Sequence, residues 1–222
     1  MSNESSGTGS ENTGSSGRGN GKGSGSNIAI GTEIVNPDKN TTSAQKMFSD
    51  VPQEHWAYKA IYRLKEMGIL SGKTETEFVP DEAVTREQFV KMLCIALNIP
   101  NTNEKYGFAD VQSGAWYEQY VNNAYEKGII NGIGDSTFGI GQNVTRQDVC
   151  TMVCRATELA KDENAEAKEF GDAAEIAEYA REAVDTLCRI GIMNGFEDGT
   201  FRPADNCTRA QAAKIIYEII RQ

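Results

Sequence analysis

The sequence predicts an all-α chain of three tandem helix-loop-helix repeats that share one core, preceded by a flexible linker. Three observations carry this expectation. A Thr-Arg pair opens an amphipathic stretch three times, at Thr85-Arg86, Thr145-Arg146 and Thr208-Arg209. A Gly-Ile pair lies 17 residues before each of those threonines, at Gly68-Ile69, Gly128-Ile129 and Gly191-Ile192. Apolar residues recur at helical spacing around both markers. The motif threonines stand 60 and 63 residues apart, and self-similarity at a near-fixed period marks units that bury a face only by stacking on one another.

Residues 1–46 are Gly, Ser, Asn and Thr with few large apolar side chains. Such a segment cannot bury enough surface to offset its ordering entropy, so a flexible linker is expected there. Ile28, Ile30, Ile34 and Val35 alone interrupt it, as a weak candidate strand. The remainder divides into repeats at 47–107, 108–169 and 170–222. Each opens with Phe, any residue, Asp: Phe48 to Asp50, Phe108 to Asp110 and Phe170 to Asp172. A first helix follows, with Trp56, Ala60, Ile61 and Leu64 in repeat one and Trp116, Val121 and Ala124 in repeat two. At that spacing the tryptophans are expected in the core with one edge exposed. Repeat three carries one extra residue and places Tyr179 at the tryptophan position. Each first helix ends at the Gly of the Gly-Ile pair.

A loop then carries a second Gly and a Phe: Gly72 and Phe78, Gly132 and Phe138, Gly195 and Phe201. The glycines are expected to serve a left-handed turn first and close ligand approach second, and the phenylalanines to plug the core. The motif helix comes last. Thr85 and Thr208 head capping boxes with Gln88 and Gln211, whereas Thr145 has only the shorter Asp148. In repeat three Ala212, Ala213, Ile215, Ile216, Ile219 and Ile220 make the broadest apolar surface, which predicts burial against several neighbours.

The motif Arg falls in the first turn, where the positive helix end disfavours a cation by roughly 0.3–1 kcal/mol. Three such placements in a chain of net charge −10 imply that each guanidinium has an anionic partner. A ligand or a carboxylate of the neighbouring repeat would serve.

Composition excludes several functions. No Lys/Arg stripe is available to track a phosphate backbone, so nucleic acid is not an expected partner. No apolar run approaches the roughly 18 residues that span a bilayer, so no membrane insertion is expected. The opening Met-Ser-Asn-Glu-Ser-Ser lacks the basic and apolar parts of a secretory signal; either the chain stays in the cytoplasm or its export signal lies upstream. The five cysteines have no zinc-type spacing and the single imidazole is His55, so no metal and no cofactor are expected, and buried apolar thiols are. No nucleophile motif or acid/base pair marks an enzyme.

The order Phe-x-Asp-Val, Trp, Gly-Ile, then Gly195 to Pro203 as Gly-x-x-Asp-Gly-Thr-Phe-x-Pro, then Thr208-Arg209-Ala210-Gln211 resembles the S-layer homology domain, in three tandem copies over about residues 47–222. The resemblance implies a pseudo-threefold trimer of repeats within one chain, around a central helical bundle, with grooves between adjacent lobes. It also implies a role: non-covalent anchoring of an exported protein at an extracellular cell wall by binding secondary cell-wall polysaccharide, with pyruvylated N-acetylmannosamine as its end group. The family's motif Arg maps to Arg86, Arg146 and Arg209. A guanidinium offers a pyruvate carboxylate two parallel charge-assisted hydrogen bonds, and helix-start amides can add donors.

Around those arginines, Asp50, Asp110 and Asp172 are candidates for sugar hydroxyls, with a cap or turn the favoured role for Asp before a helix. Trp56 and Trp116 offer a ring to a sugar face, and Gly72, Gly132 and Gly195 admit close approach. The repeats depart from one another: Lys73 to Glu77 lacks the Asp-Gly pair, Asp135-Ser136 replaces it in repeat two, Ile140 stands where repeats one and three have Pro80 and Pro203, and repeat three lacks the Trp. These differences predict one or two working grooves. The alternative class is a protein-binding or self-assembly module making contacts within a surface layer.

Overall fold

The computed structural model describes residues 47–222 apart from Glu158, Lys161, Glu163 and Gln222. The predicted linker and its candidate strand lie outside the described residues. Among the described residues six α-helices form: α1 (Tyr58–Glu66), α2 (Arg86–Ala96), α3 (Glu118–Glu126), α4 (Arg146–Ala156), α5 (Arg181–Arg189) and α6 (Arg209–Ile219). Two short 3₁₀ turns, Ala173–Glu175 and Glu178–Ala180, precede α5. None of these helices is long and apolar enough to cross a membrane.

The Gly-Ile pair ends the first helix of each unit as expected. Gly68, Gly128 and Gly191 all take left-handed backbone, with φ of 71°, 69° and 75°. At α1 the Gly68 amide donates to Lys65 O and the Ile69 amide to Leu64 O, the paired bonds of a Schellman motif, which satisfy carbonyls that the helix end would orphan. Ile69 and Ile129 then point into the core at 4% and 1% exposure.

The helices pair between repeats rather than within them. Motif helix α2 packs on α3 of the next unit, α4 on α5, and α6 returns to α1. The helix pairing therefore closes in cyclic order, from the last helix back to the first. A triangle of backbone bonds joins the units at the centre: Val84 N–H donates to Cys207 O, Cys207 N–H to Val144 O, and Val144 N–H to Val84 O, each at 2.9 Å. Each bond satisfies a backbone group on a fully buried residue, so none is left to incur a desolvation cost. Helix α6 packs against both α1 and α2, as its wide apolar surface requires.

The loop phenylalanines are the plugs. Phe78, Phe138 and Phe201 are at most 1% exposed, and the opening Phe of each repeat lies against its plug with ring centroids 5.3–6.0 Å apart. That packing, more than turn geometry, demands Gly72, Gly132 and Gly195. A Cβ there would meet the ring of Phe48, Phe108 or Phe170 at 2.4–2.8 Å and a loop carbonyl at 2.4–2.7 Å. Of the three, only Gly132 has left-handed backbone, so the left-handed turn expected at all three is corrected to a close ring approach.

The tryptophans also depart from expectation. Trp56 is 58% and Trp116 51% exposed, because α1 and α3 begin two residues later. Each ring stands in the turn before the helix, outside its buried face, and at the first turn fully buried Ala57 takes the inward position.

Candidate functional site

Each motif Arg clamps the loop of the following repeat. Arg86 Nε donates to Phe138 O at 3.0 Å, Arg146 Nε to Phe201 O at 2.9 Å and Arg209 Nε to Phe78 O at 2.8 Å. The guanidinium carbon also stands 5.2, 4.8 and 4.5 Å from the centroid of the same Phe ring, a stacking geometry that favours Arg over Lys. Arg86 and Arg146 are buried and Arg209 is half-buried. Burial pushes all three guanidinium pKa values down from the ordinary Arg value, and all remain cations at neutral pH.

Among the described residues, the expectation of an anionic partner for each Arg is met once. Arg86 Nη1 pairs with Asp148 Oδ2 at 3.0 Å. Arg146 Nη2 and Arg209 Nη2 instead donate to carbonyls, Asn194 O and Ser71 O, both at 2.9 Å. Carbonyl dipoles and aromatic faces replace the formal charge there. The helix-start amides are committed as well: Arg86, Arg146 and Arg209 N–H donate to Gln142, Asp205 and Glu82 carbonyls.

The three aspartates stand behind the loops. Asp50 accepts from the amides of Phe78 and Val79, Asp110 from those of Phe138, Gly139 and Ile140, and Asp172 from those of Phe201 and Arg202. Burial raises each carboxyl pKa, but the amide donors outweigh it and hold all three below the usual carboxylate value. These carboxylates fix the loops that the arginines grip.

Two equivalent clefts open beside these clamps. Groove I, about 470 Å³, brings together Gly72, Trp116 and Arg209 from three different repeats, with Ser71, Lys73, Gln88, Lys91 and Met92. Lys91 Nζ stands 5.3 Å from the Trp116 ring centroid, and Lys73 pairs with Glu82 at 2.8 Å. Arg209 Nη1 has no hydrogen-bond partner among the described residues. Groove II, about 440 Å³, holds Arg86 and Gly132 with Asp148, Thr151, Met152, Arg155 and Tyr179.

At the third boundary, between α6 and the loop of repeat three, Arg146 is 3% exposed. The Phe196 ring covers it at 4.7 Å, and Arg202 lies over the same ring at 4.0 Å. Phe196 follows Gly195, where groove I has Lys73 after Gly72. Trp56 stacks on His55 with centroids 5.6 Å apart.

The sequence pattern did not single out Gln88, Lys91 and their counterparts as lining residues. The signal was present in the capping box: the third residue of the motif helix is Gln88 in one repeat and Asp148 in the next. The Gln88 side chain both caps its helix and lines its groove, whereas the Asp148 side chain lines its groove without capping.

A closed ring of helix pairs with clefts at the repeat boundaries is a tandem-repeat module. The chain belongs to the S-layer homology domain family, whose model matches residues 48–90, 107–150 and 169–213. It is similar to an amylopullulanase of Thermoanaerobacterium thermosulfurigenes, 36% identical over 180 residues, covering 80% of this chain and 10% of that protein. An endoglucanase of Bacillus sp. (strain KSM-635) is 34% identical over 176 residues, 78% of this chain and 18% of the relative. The S-layer protein sap of Bacillus anthracis is 30% identical over 196 residues, 87% and 23%. The chain thus spans between about a tenth and a quarter of these relatives.

Proposed function

We propose that this chain is a non-catalytic module that anchors an exported protein to the bacterial cell surface by binding an acidic secondary cell-wall polysaccharide in its inter-repeat clefts. Family membership and the segment shared with an S-layer protein, an amylopullulanase and an endoglucanase support the anchoring part, since what these relatives have in common with this chain is the module and not an enzyme name. The observation that carries the ligand class is the lining of groove I. In a chain of net charge −10, that cleft presents Lys91 and Arg209, with Lys73 paired to Glu82 beside it, and no carboxylate among its lining residues.

Field lines of like sign focus in a cleft with low-dielectric walls, which favours an anion. Arg209 offers its free Nη1 to a carboxylate, such as the ketal-linked pyruvate of a terminal N-acetylmannosamine. Trp116 offers a half-exposed ring to the sugar face. The glycine at position 72 lets the pyranose approach the loop backbone.

Equilibrium binding to purified wall fragments tests this, with and without chemical removal of the polysaccharide. Binding lost on removal, and weakened at least about tenfold by Trp116→Ala together with Lys91→Ala, is the expected result. Binding that survives polysaccharide removal, or that transfers to a surface protein, overturns the carbohydrate reading in favour of self-assembly.

A further inference from the structure

Groove II carries its own carboxylate. Asp148 occupies the position that Gln88 fills in groove I, and both of its oxygens are engaged. Oδ2 accepts from Arg86 Nη1 at 3.0 Å and Oδ1 from the Tyr179 hydroxyl at 2.7 Å. The Arg86 side chain is 6% and that of Asp148 22% exposed. Asp148 thus meets Arg86 with the charge and hydrogen bond that an acidic sugar would bring to Arg209 in groove I.

We infer that Asp148 is a specificity-determining residue: it stands in for the ligand carboxylate at Arg86 and closes groove II to anions, leaving the acidic ligand to groove I. The inference rests on the proposed reading of groove I. Two physical arguments support it. An incoming carboxylate must displace a group tethered to the same fold, whose effective concentration far exceeds that of free ligand. If Asp148 stays, the two carboxylates face each other in a partly desolvated cleft, where like charges disfavour joint ionisation.

Tyr179 locks the arrangement. Burial of its hydroxyl and the adjoining Asp148 carboxylate push its pKa up to about 12, so it remains a donor to Asp148 at any physiological pH. Arg155 also lines the cleft, but it is exposed, and its charge is screened by solvent. Groove II therefore suits an uncharged face or no ligand.

The clamp does not need Asp148. Arg146 and Arg209 hold their loops through carbonyls alone, with no carboxylate partner among the described residues, so Asp148→Gln gives repeat two the same motif-helix start as the other two repeats and should fold. Asp148→Asn keeps the shape and removes the charge.

Methionine methyl groups report on each cleft separately, Met92 in groove I and Met152 in groove II. With methyl-labelled protein and pyruvylated methyl N-acetylmannosaminide as probe, titration by NMR should shift Met92 and leave Met152 in place. In Asp148→Gln and Asp148→Asn both methyls should titrate, and the bound equivalents should rise by one. Met152 moving in the parent at the concentrations that move Met92 overturns the inference while leaving the groove I reading intact. So does a silent Met152 in both variants while Met92 still titrates, a signal that also shows the variants are folded. If neither methyl moves in any of the three proteins, the groove I reading fails and the inference falls with it.

Discussion

Grooves I and II stand on the same frame and differ in what they present. Beneath each lies an Arg bonded to a plug Phe carbonyl, an Asp holding the loop amides, and a Gly against an opening Phe ring. On the surface, Gln88, Lys91 and Trp116 of groove I face Asp148, Thr151 and Tyr179 of groove II. The motif that marks the family in sequence therefore builds the frame. On the proposed reading, ligand choice is left to neighbours that vary from repeat to repeat.

The largest expected effect tests whether the frames are equivalent. Arg209→Ala removes two hydrogen bonds from a charged donor to loop carbonyls, and a loss of about 1.5–3 kcal/mol is expected. Arg86→Ala also leaves Asp148 without its cation in a cleft where it is only 22% exposed, and about 3 kcal/mol or more should go. Urea unfolding of both variants measures the difference. Equal losses would show that the Arg86–Asp148 pair adds nothing to the fold, and that Asp148 is retained for groove II alone.

Much of the frame was legible in the sequence because its parts are local. Gly68 at a helix end, Thr208 with Gln211 at a helix start, and Phe78 at a fixed offset each have a short-range physical reason, and the period of about 60 residues binds them into three units. What the sequence hid was non-local. Backbone carbonyls carry no residue signature, so nothing in Phe78 or Phe138 foretold that their oxygens would hold Arg209 and Arg86. Pairing of α2 with α3 rather than α1 moves every groove to a repeat boundary, which brings Trp116 of repeat two beside Arg209 of repeat three. The spacing of the tryptophans fits the core face of a helix that in fact starts two residues later.

The aspartates give a smaller effect with a pH signature. Their folded pKa values lie below the ordinary carboxylate value. Their contribution is therefore complete above the unfolded pKa of about 3.9 and is lost as pH falls through the folded values. Asp110 accepts from three amides where Asp50 and Asp172 accept from two. Asp110→Asn should thus cost the most at pH 7, about 1–3 kcal/mol, and the gap from the parent should close on acidification below about pH 4. Unfolding followed by circular dichroism across pH checks both. A cost that does not shrink in acid would mean that shape, not charge, is what the asparagine fails to supply.

The smallest effect asks whether the two lobes are alike below the surface. Cys94 in α2 faces the Tyr120 carbonyl of α3 and Cys154 in α4 faces the Ala183 carbonyl of α5, each with sulfur 3.7 Å away. None of the five cysteines is in a disulfide, and burial pushes the Cys94 thiol up to about 12 and the Cys154 thiol up to about 11. Neither forms thiolate near neutral pH, so both act as small apolar groups. Cys94→Ala and Cys154→Ala should each lower stability by about 1 kcal/mol or less, and by the same amount within error. Thiol titration should find five reactive groups in the denatured chain and slow reaction in the native one. A much larger loss at Cys154 than at Cys94 would place the asymmetry of the grooves in the packing of the lobes. It would then reach deeper than Asp148, and exchange of that one side chain would not make the second cleft behave like the first.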